Sequence, residues 1–347
     1  MKILVTGNLG YIGPTLTSHL EKSINEVEIH GYDAGFFQNC ITGNLLSPNF
    51  GICRQYYGDI RDINLNILDG VDIIIHLAAI SNDPIGKEFS QVTMEINHAA
   101  TIKLAKLAII AGVKNFVFAS SCSVYGIAQQ GDRKETDPTN PLSIYAESKL
   151  AVEEDIKNID LKNMTFTSLR FATACGWSNR VRLDLVLNDF VASALTCGEV
   201  TLLSDGTAWR PLIDVEDMSR AITWASLRKK SEGGQYLCVN AGSNNSNYQV
   251  KDLAHAVAEI IKGTKISIHE DALPDKRSYK VDFTLFENLA VSFLPKVNLL
   301  SSIENLKNGL IAFNFENKNF RKSSLIRLIT LKKLIQAGRI DKSLRWK

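Results

Sequence analysis

The first half of the chain alternates short runs of Val, Ile, Leu and Phe with longer stretches in which apolar residues recur every three or four positions. The runs predict strands at 2–6, 27–33, around 54–57, 73–77, 116–120 and 165–171. The longer stretches predict helices at 14–24, 98–112 and 143–158. Strands that are apolar almost without a break belong in a parallel sheet covered on both faces by helices. Ligands of such sheets collect beyond the carboxyl ends of the strands, and there stand Gly7, Asp33, Asp59, Ala78 and Ser121. Beyond residue 172 the texture changes, with strand-like segments at 200–203, 235–239 and 266–268 set among loops and short helices. An α/β fold is expected: a doubly wound parallel sheet over 1–171 with a returning segment about 212–240. A smaller α+β lobe is expected over 172–211 and 241–347. The Asn240–Asn247 stretch, rich in Asn, Ser and Gly, reads as a surface loop.

Composition narrows the class without identifying it. The 347 residues are 45% hydrophobic and 22% charged, with a net charge of +2, so neither nucleic acid nor a membrane is indicated as the main partner. From Arg321 to Lys347, however, nine Lys or Arg stand against one acid, Asp341. Leu325, Leu328, Ile329 and Ile335 recur there at helical spacing, which predicts a basic amphipathic helix docked on the body. The six cysteines lack CxxC spacing and read as reduced, buried thiols, and the isolated histidines offer no metal site. The chain opens directly on a strand and has no apolar run near 20 residues, so a cytoplasmic protein is expected.

The first strand runs into Gly7-Asn8-Leu9-Gly10-Tyr11-Ile12-Gly13, followed by a helical pattern carrying Leu16 and Leu20. A dinucleotide pyrophosphate needs this order. Gly7 permits a sharp turn, Gly10 lets backbone N–H groups approach phosphate, and Gly13 lets the helix pack on the strand, its N-terminus facing the charge. Twenty residues past Gly13, Asp33 closes the second strand, where a carboxylate accepts from two ribose hydroxyls and repels a 2′-phosphate. The cofactor expected is therefore NAD, not NADP, on a Rossmann-type sheet.

A second constellation carries chemistry. Tyr145 and Lys149 in Ser143-Ile144-Tyr145-Ala146-Glu147-Ser148-Lys149 share one helix face, and an ammonium beside a phenol is expected to lower its pKa toward neutrality. Some two dozen residues upstream, a buried strand ends in Ser120-Ser121-Cys122-Ser123-Val124-Tyr125-Gly126.

Together these residues resemble the extended short-chain dehydrogenase/reductase family, in its nucleotide-sugar epimerase, dehydratase and reductase branch. The resemblance spans essentially the whole chain through Thr6–Gly13, Asp33, Gly58-Asp59-Ile60, His76-Leu77-Ala78-Ala79, Asn97, Ser120–Gly126, Tyr145/Lys149 and Trp209–Asp217. It implies that Ser121, Tyr145 and Lys149 are catalytic, with Ser120 and Ser123 as weaker candidates for the hydroxyl. It also implies that Asp59 and Ile60 hold the adenine, that Leu77, Ala78 and Ala79 line the nicotinamide side, and that Asn97 secures the helix behind the site. For a nucleotide-diphosphate sugar it points to Arg210 and Arg277, with Ser81, Ser121, Thr173, Arg182 and Asn188 nearby and Arg180 in the same region. Members often dimerise through the helix that carries the tyrosine, so a homodimer is expected.

Two departures limit the reading. Dehydratases of this branch carry Asp-Glu directly after the catalytic hydroxyl, where this chain has Cys122 and Ser123, so a 4,6-dehydratase is disfavoured. Hexose 4-epimerases usually carry Asn where this chain has Thr173, which leaves the sugar and its carbon open. The expected activity is an NAD-dependent nucleotide-sugar epimerase working through a transient ketosugar. A nucleotide-sugar dehydrogenase or ketoreductase needs the same residues, and a non-catalytic NAD-binding regulator is the alternative from another class.

Overall fold

Seven parallel strands make the central sheet: β1 (Lys2–Thr6), β2 (Glu28–Asp33), β3 (Ile52–Tyr57), β4 (Ile73–His76), β5 (Asn115–Ser121), β6 (Thr165–Phe171) and β7 (Tyr236–Ala241). Their spatial order is β7-β6-β5-β4-β1-β2-β3, a Rossmann-type α/β sheet. The computed structural model describes residues 1–42, 51–127, 131–268 and 278–347. Successive side chains of a strand go to opposite faces, and here both faces are covered. Ile3 and Val5 join one apolar cluster with Leu16, Leu20 and Ala221, while Leu4 joins the other with Ile74, Phe116 and Phe166. Each such side chain, fully removed from water, contributes about 1.5–3 kcal/mol.

The order reverses between β1 and β4, so the chain leaves these neighbouring strands in opposite directions and opens a crevice at their carboxyl ends. Across it Thr6 is in register with Tyr32 and His76, and Ser121 with Phe171. A third cluster, with Val181, Leu187, Val191, Leu253, Ile303 and Phe320 at its centre, forms a lobe beyond the sheet. Its helices Val186–Cys197, Val250–Ile260 and Leu299–Ala312 pack on one another.

Three sequence expectations need correction. Asn240 and Ala241 are the last residues of β7, and Asn240 is fully buried by bonds to Tyr125, Arg133 and Asp282; only the following Asn244–Ser246 turn behaves as a loop. Asparagine enrichment signalled a turn, but a buried polar network claimed its first member. The basic tail forms the helix Arg327–Gln336, yet it does not stay with the lobe: Leu331, Ile340 and Leu344 are buried in the sheet's second cluster. Cys40, Cys122 and Cys175 are buried and all six thiols are free, but Cys53 and Cys197 are exposed. Among the described residues no helix is long and apolar enough to cross a membrane.

Candidate active site

The turn after β1 is built by sterics. Gly7 has φ +75°, and a Cβ there would lie 2.5 Å from the backbone N of Ala78. A Cβ at Gly13 would overlap the carbonyl oxygen of Asn8, so only glycine lets the helix Gly13–Ser23 start so close to the strand. That helix has Pro14 in its first turn, no side-chain cap and no acid there. Its end of the macrodipole and its open N–H groups therefore face the crevice uncompensated. Leu9 N–H donates to Asp33 Oδ2 (3.0 Å) and Gly35 N–H to Oδ1 (2.7 Å), which fixes the Asp33 carboxylate at the end of β2. Desolvation raises its pKa, while the two N–H bonds and Arg180 hold it down.

Gly7, Gly10, Tyr11, Ile12 and Asp33 line one end of a cavity of about 300 Å³. Asp59 and Ile60 line the same end. Burial opposes ionisation of Asp59, but the Arg61 side chain and backbone N–H outweigh it and lower its pKa. Leu77, Ala78 and Ala79 lead along the floor to Ser121, Tyr145 and Lys149 at the far end, with Ser81, Thr173 and Arg182 beside them. A glycine cradle, an uncapped helix start, a carboxylate fixed at the end of β2 and an apolar floor are features that fit NAD.

Tyr145 and Lys149 lie one turn apart on the helix Ile144–Lys157, whose N-cap Ser143 accepts from Ala146 N–H and donates to Asp83 (2.6 Å). Ser121, which lowers the pKa of the Tyr145 phenol, accepts at its Oγ from the Ser123 hydroxyl at 2.9 Å. The Lys149 ammonium sits 5.7 Å from the Tyr145 ring centroid and 4.7 Å from that of Phe118. Lys149 is 3% exposed, and burial depresses its pKa to about 7 against the opposing pull of Glu153. Tyr145 departs from the sequence expectation: burial raises its pKa, and the forces pulling it down are the Ser121 bond and Arg182 rather than Lys149. Behind the helix, buried Glu153 binds Arg170 (2.6 Å) and accepts from Ser120 (2.6 Å) and Ser168 (3.1 Å). His76, held between the Thr6 and Thr101 hydroxyls, has its pKa lowered to about 3 by burial and Lys149 and is neutral.

Several expected residues stand back from the cavity. Asn8 bonds Gln55, and Leu9 serves through its N–H to Asp33. Asn97, in a wide π turn at Glu95–Ala99, bonds both backbone groups of Ile80 and the Ser148 hydroxyl, so it braces the Tyr145 helix without reaching the cavity. Asn188 is fully buried, tying Gly176 N–H to the Arg182 carbonyl. Arg210 donates to the Trp209 carbonyl and lies 6.0 Å from the ring of Tyr279, and it is Tyr279 that reaches the cavity wall. Arg180 binds the carbonyls of Phe37 and Gln38. Arg277 lies outside the described residues. Sequence reasoning passed over Tyr32, Phe36, Phe37, Tyr279 and Arg327, all of which line the cavity. The Phe36-Phe37 pair, three residues past Asp33, was a legible signal; Arg327, far downstream, gave none.

The model of the NAD dependent epimerase/dehydratase family matches residues 3–242. The UDP-glucose 4-epimerase of Lacticaseibacillus casei is 33% identical over 280 residues, covering 74% of this chain and 81% of the relative. Among solved structures, UDP-glucuronic acid 4-epimerase from Bacillus cereus in complex with UDP-glucuronic acid and NAD superposes with a TM-score of 0.77 at 25% identity, covering 90% of this chain and 99% of that one. MoeE5 in complex with UDP-glucose and NAD gives a TM-score of 0.75 at 26% identity over the same shares.

Proposed function

The chain belongs to the NAD dependent epimerase/dehydratase family, and we propose that within it the protein is an epimerase that inverts one hydroxyl-bearing carbon of a nucleotide-diphosphate sugar. NAD, when bound, supplies an acceptor for the hydride of that carbon and then a donor to return it. Tyr145 takes the proton of the sugar hydroxyl as the carbon is oxidised, and gives it back when the ketosugar is reduced on its other face. Ser121, which lines the same cavity as Tyr145, holds the oxygen as it becomes a carbonyl. Lys149 titrates near neutrality and lies beside the phenol ring, so a phenolate at Tyr145 draws the proton onto Lys149 and is stabilised by it.

One observation carries the choice of reaction within the family. Among the described residues, the only carboxylates lining the cavity are Asp33 and Asp59, both at the end away from Tyr145. Eliminating water from a sugar needs an acid and a base beside the hydroxyl triad. Cys122 instead donates its buried thiol to the Arg170 carbonyl, with its pKa raised by burial, and Ser123 donates to Ser121. Reversible alcohol oxidation uses only Ser121, Tyr145 and Lys149.

The UDP-sugars named with the relatives define the first substrates to try, and Arg210, Arg277 and Thr173 remain the residues we assign to the diphosphate and sugar. A homodimer belongs to the same proposal. The test is proton NMR of UDP-glucose and UDP-glucuronic acid incubated with protein and catalytic NAD, with absorbance followed at the reduced-nicotinamide band. An epimerase accumulates a second nucleotide sugar while the absorbance stays flat. Stoichiometric NADH would replace this reading with a dehydrogenase.

A further inference from the structure

Arg327 opens the C-terminal helix, beyond the residues that match the family model, yet it lines the cavity. It is 2% exposed. Its Nη2 donates to the carbonyls of Arg180 (2.8 Å) and Val181 (3.4 Å), and its guanidinium lies over the Phe37 ring at 5.1 Å. Its Nη1 is buried and has no hydrogen-bond partner among the described residues. A buried guanidinium N–H left unpaired is costly, and Arg327 lines the cavity, so a small shift of its side chain on ligand binding would let a ligand atom complete the bonding.

The surroundings define that ligand. Three guanidinium groups, of Arg180, Arg182 and Arg327, lie close enough to interact, against the carboxylates of Asp33 and Asp184. Asp184 is already bonded to Arg182 and Asn82. The excess is one positive charge, and Arg327, which feels both other guanidinium groups, would gain from an added anion. A planar fork of donors suits phosphoryl oxygens. Arg327 stands against Phe37 and Arg180, on the wall that follows Asp33, which is the dinucleotide side of the cavity rather than the Arg210 side.

The same C-terminal segment grips that wall elsewhere. Trp346 donates to the Ala34 carbonyl (2.6 Å) and packs on Phe36 at 5.6 Å, Cys40 donates to the Ser324 carbonyl, and Arg345 pairs with Asp62 (2.5 Å). We propose that Arg327 binds the pyrophosphate of NAD, so that the C-terminal segment acts as a strap holding the dinucleotide from the side opposite the glycine turn. The proposal rests on NAD occupying this cavity.

Calorimetric titration of wild type, Arg327→Met and Arg327→Lys with NAD, ADP-ribose and UDP tests it, together with thermal midpoints of the ligand-free proteins. Met preserves the stack on Phe37 without the charge. Arg327→Met is expected to weaken both NAD and ADP-ribose at least about tenfold, as loss of a charge-assisted bond implies, with UDP within twofold and the ligand-free midpoint kept. Weakened UDP with unchanged ADP-ribose would move the contact to the substrate diphosphate and overturn the assignment; unchanged affinities would leave Arg327 structural and overturn it too. Where Met also lowers the ligand-free midpoint, Arg327→Lys decides, because a phosphate contact is partly rescued by its charge and absence of rescue refutes it. Wild type that fails to bind NAD would sink the cofactor reading itself, a different outcome from equal binding by wild type and variant.

Discussion

Lys149→Met isolates what burial does to the ammonium beside Tyr145. The displacement from 10.5 to about 7 corresponds to about 5 kcal/mol against the charged form, at 1.36 kcal/mol for each pH unit. Below pH 7 the folded and unfolded chains both hold the proton, so the full cost stands. Between pH 7 and 10.5 the unfolded chain holds it and the folded chain does not, so stability rises with pH through that window. From pH 6 to pH 9, roughly half of the cost, about 2–3 kcal/mol, is relieved. Met has similar length and no charge, and it can keep the contact with Phe118. Ligand-free Lys149→Met is therefore expected to be more stable than wild type at pH 6, by up to about 5 kcal/mol, with the gap closing by about 2–3 kcal/mol at pH 9. Urea unfolding of both proteins at the two pH values measures this, and taking the difference cancels every other titrating group. A gap that stays constant from pH 6 to pH 9 would show that Lys149 is solvated in the folded protein, and the account of its role would fall with it. Turnover of the variant should collapse even as its stability improves.

Tyr145→Phe removes one hydroxyl, so NAD affinity and the unfolding midpoint should persist while turnover drops roughly 10²–10⁴-fold; wild-type turnover would exclude Tyr145 as the base. Asp33, fixed by Leu9 and Gly35, should make NADP bind at least about tenfold more weakly than NAD, about 1.4 kcal/mol, and equal affinities by calorimetry would refute its placement at the ribose. Glu153→Gln leaves the Arg170 guanidinium buried without its counter-charge and should cost about 3–5 kcal/mol in urea unfolding; a loss under about 1 kcal/mol would mean the pair is replaced by water.

The sheet was legible because its signal is local. Six apolar runs in the first half predicted six strands, and each forms within a few residues of its expected place, from Lys2–Thr6 to Thr165–Phe171. A run such as Ile73–His76 has little alternative to a strand buried on both faces. The lobe was only coarsely readable, since its cluster joins residues as distant as Val181 and Phe320 and no periodic pattern records that meeting. The tail shows the same limit. Helical spacing predicted a docked helix, but the choice between lobe and sheet layer was set by where Leu331, Ile340 and Leu344 found complementary apolar surface.

The catalytic end divides in the same way, and the division explains why Tyr145 behaves as it does. Tyr145 and Lys149 could be picked out because their spacing puts them on one helix face, and Ser121 through the family resemblance of the strand end it occupies. Their electrostatics could not, because these depend on what burial puts behind them. In sequence Glu153 lies four residues after Lys149 and reads as an ordinary surface pair of a helix. In the fold it is fully buried, committed to Arg170, Ser120 and Ser168, and only partly offsets the desolvation of Lys149. Burial outweighs the pull of Glu153, and Lys149 is left near the pH at which its proton is mobile. Glu153, on the same helix as Lys149 and paired with Arg170 on β6, thus only partly opposes that burial, and a residue that looks like surface charge in the sequence bears on the lysine from two turns beyond Tyr145.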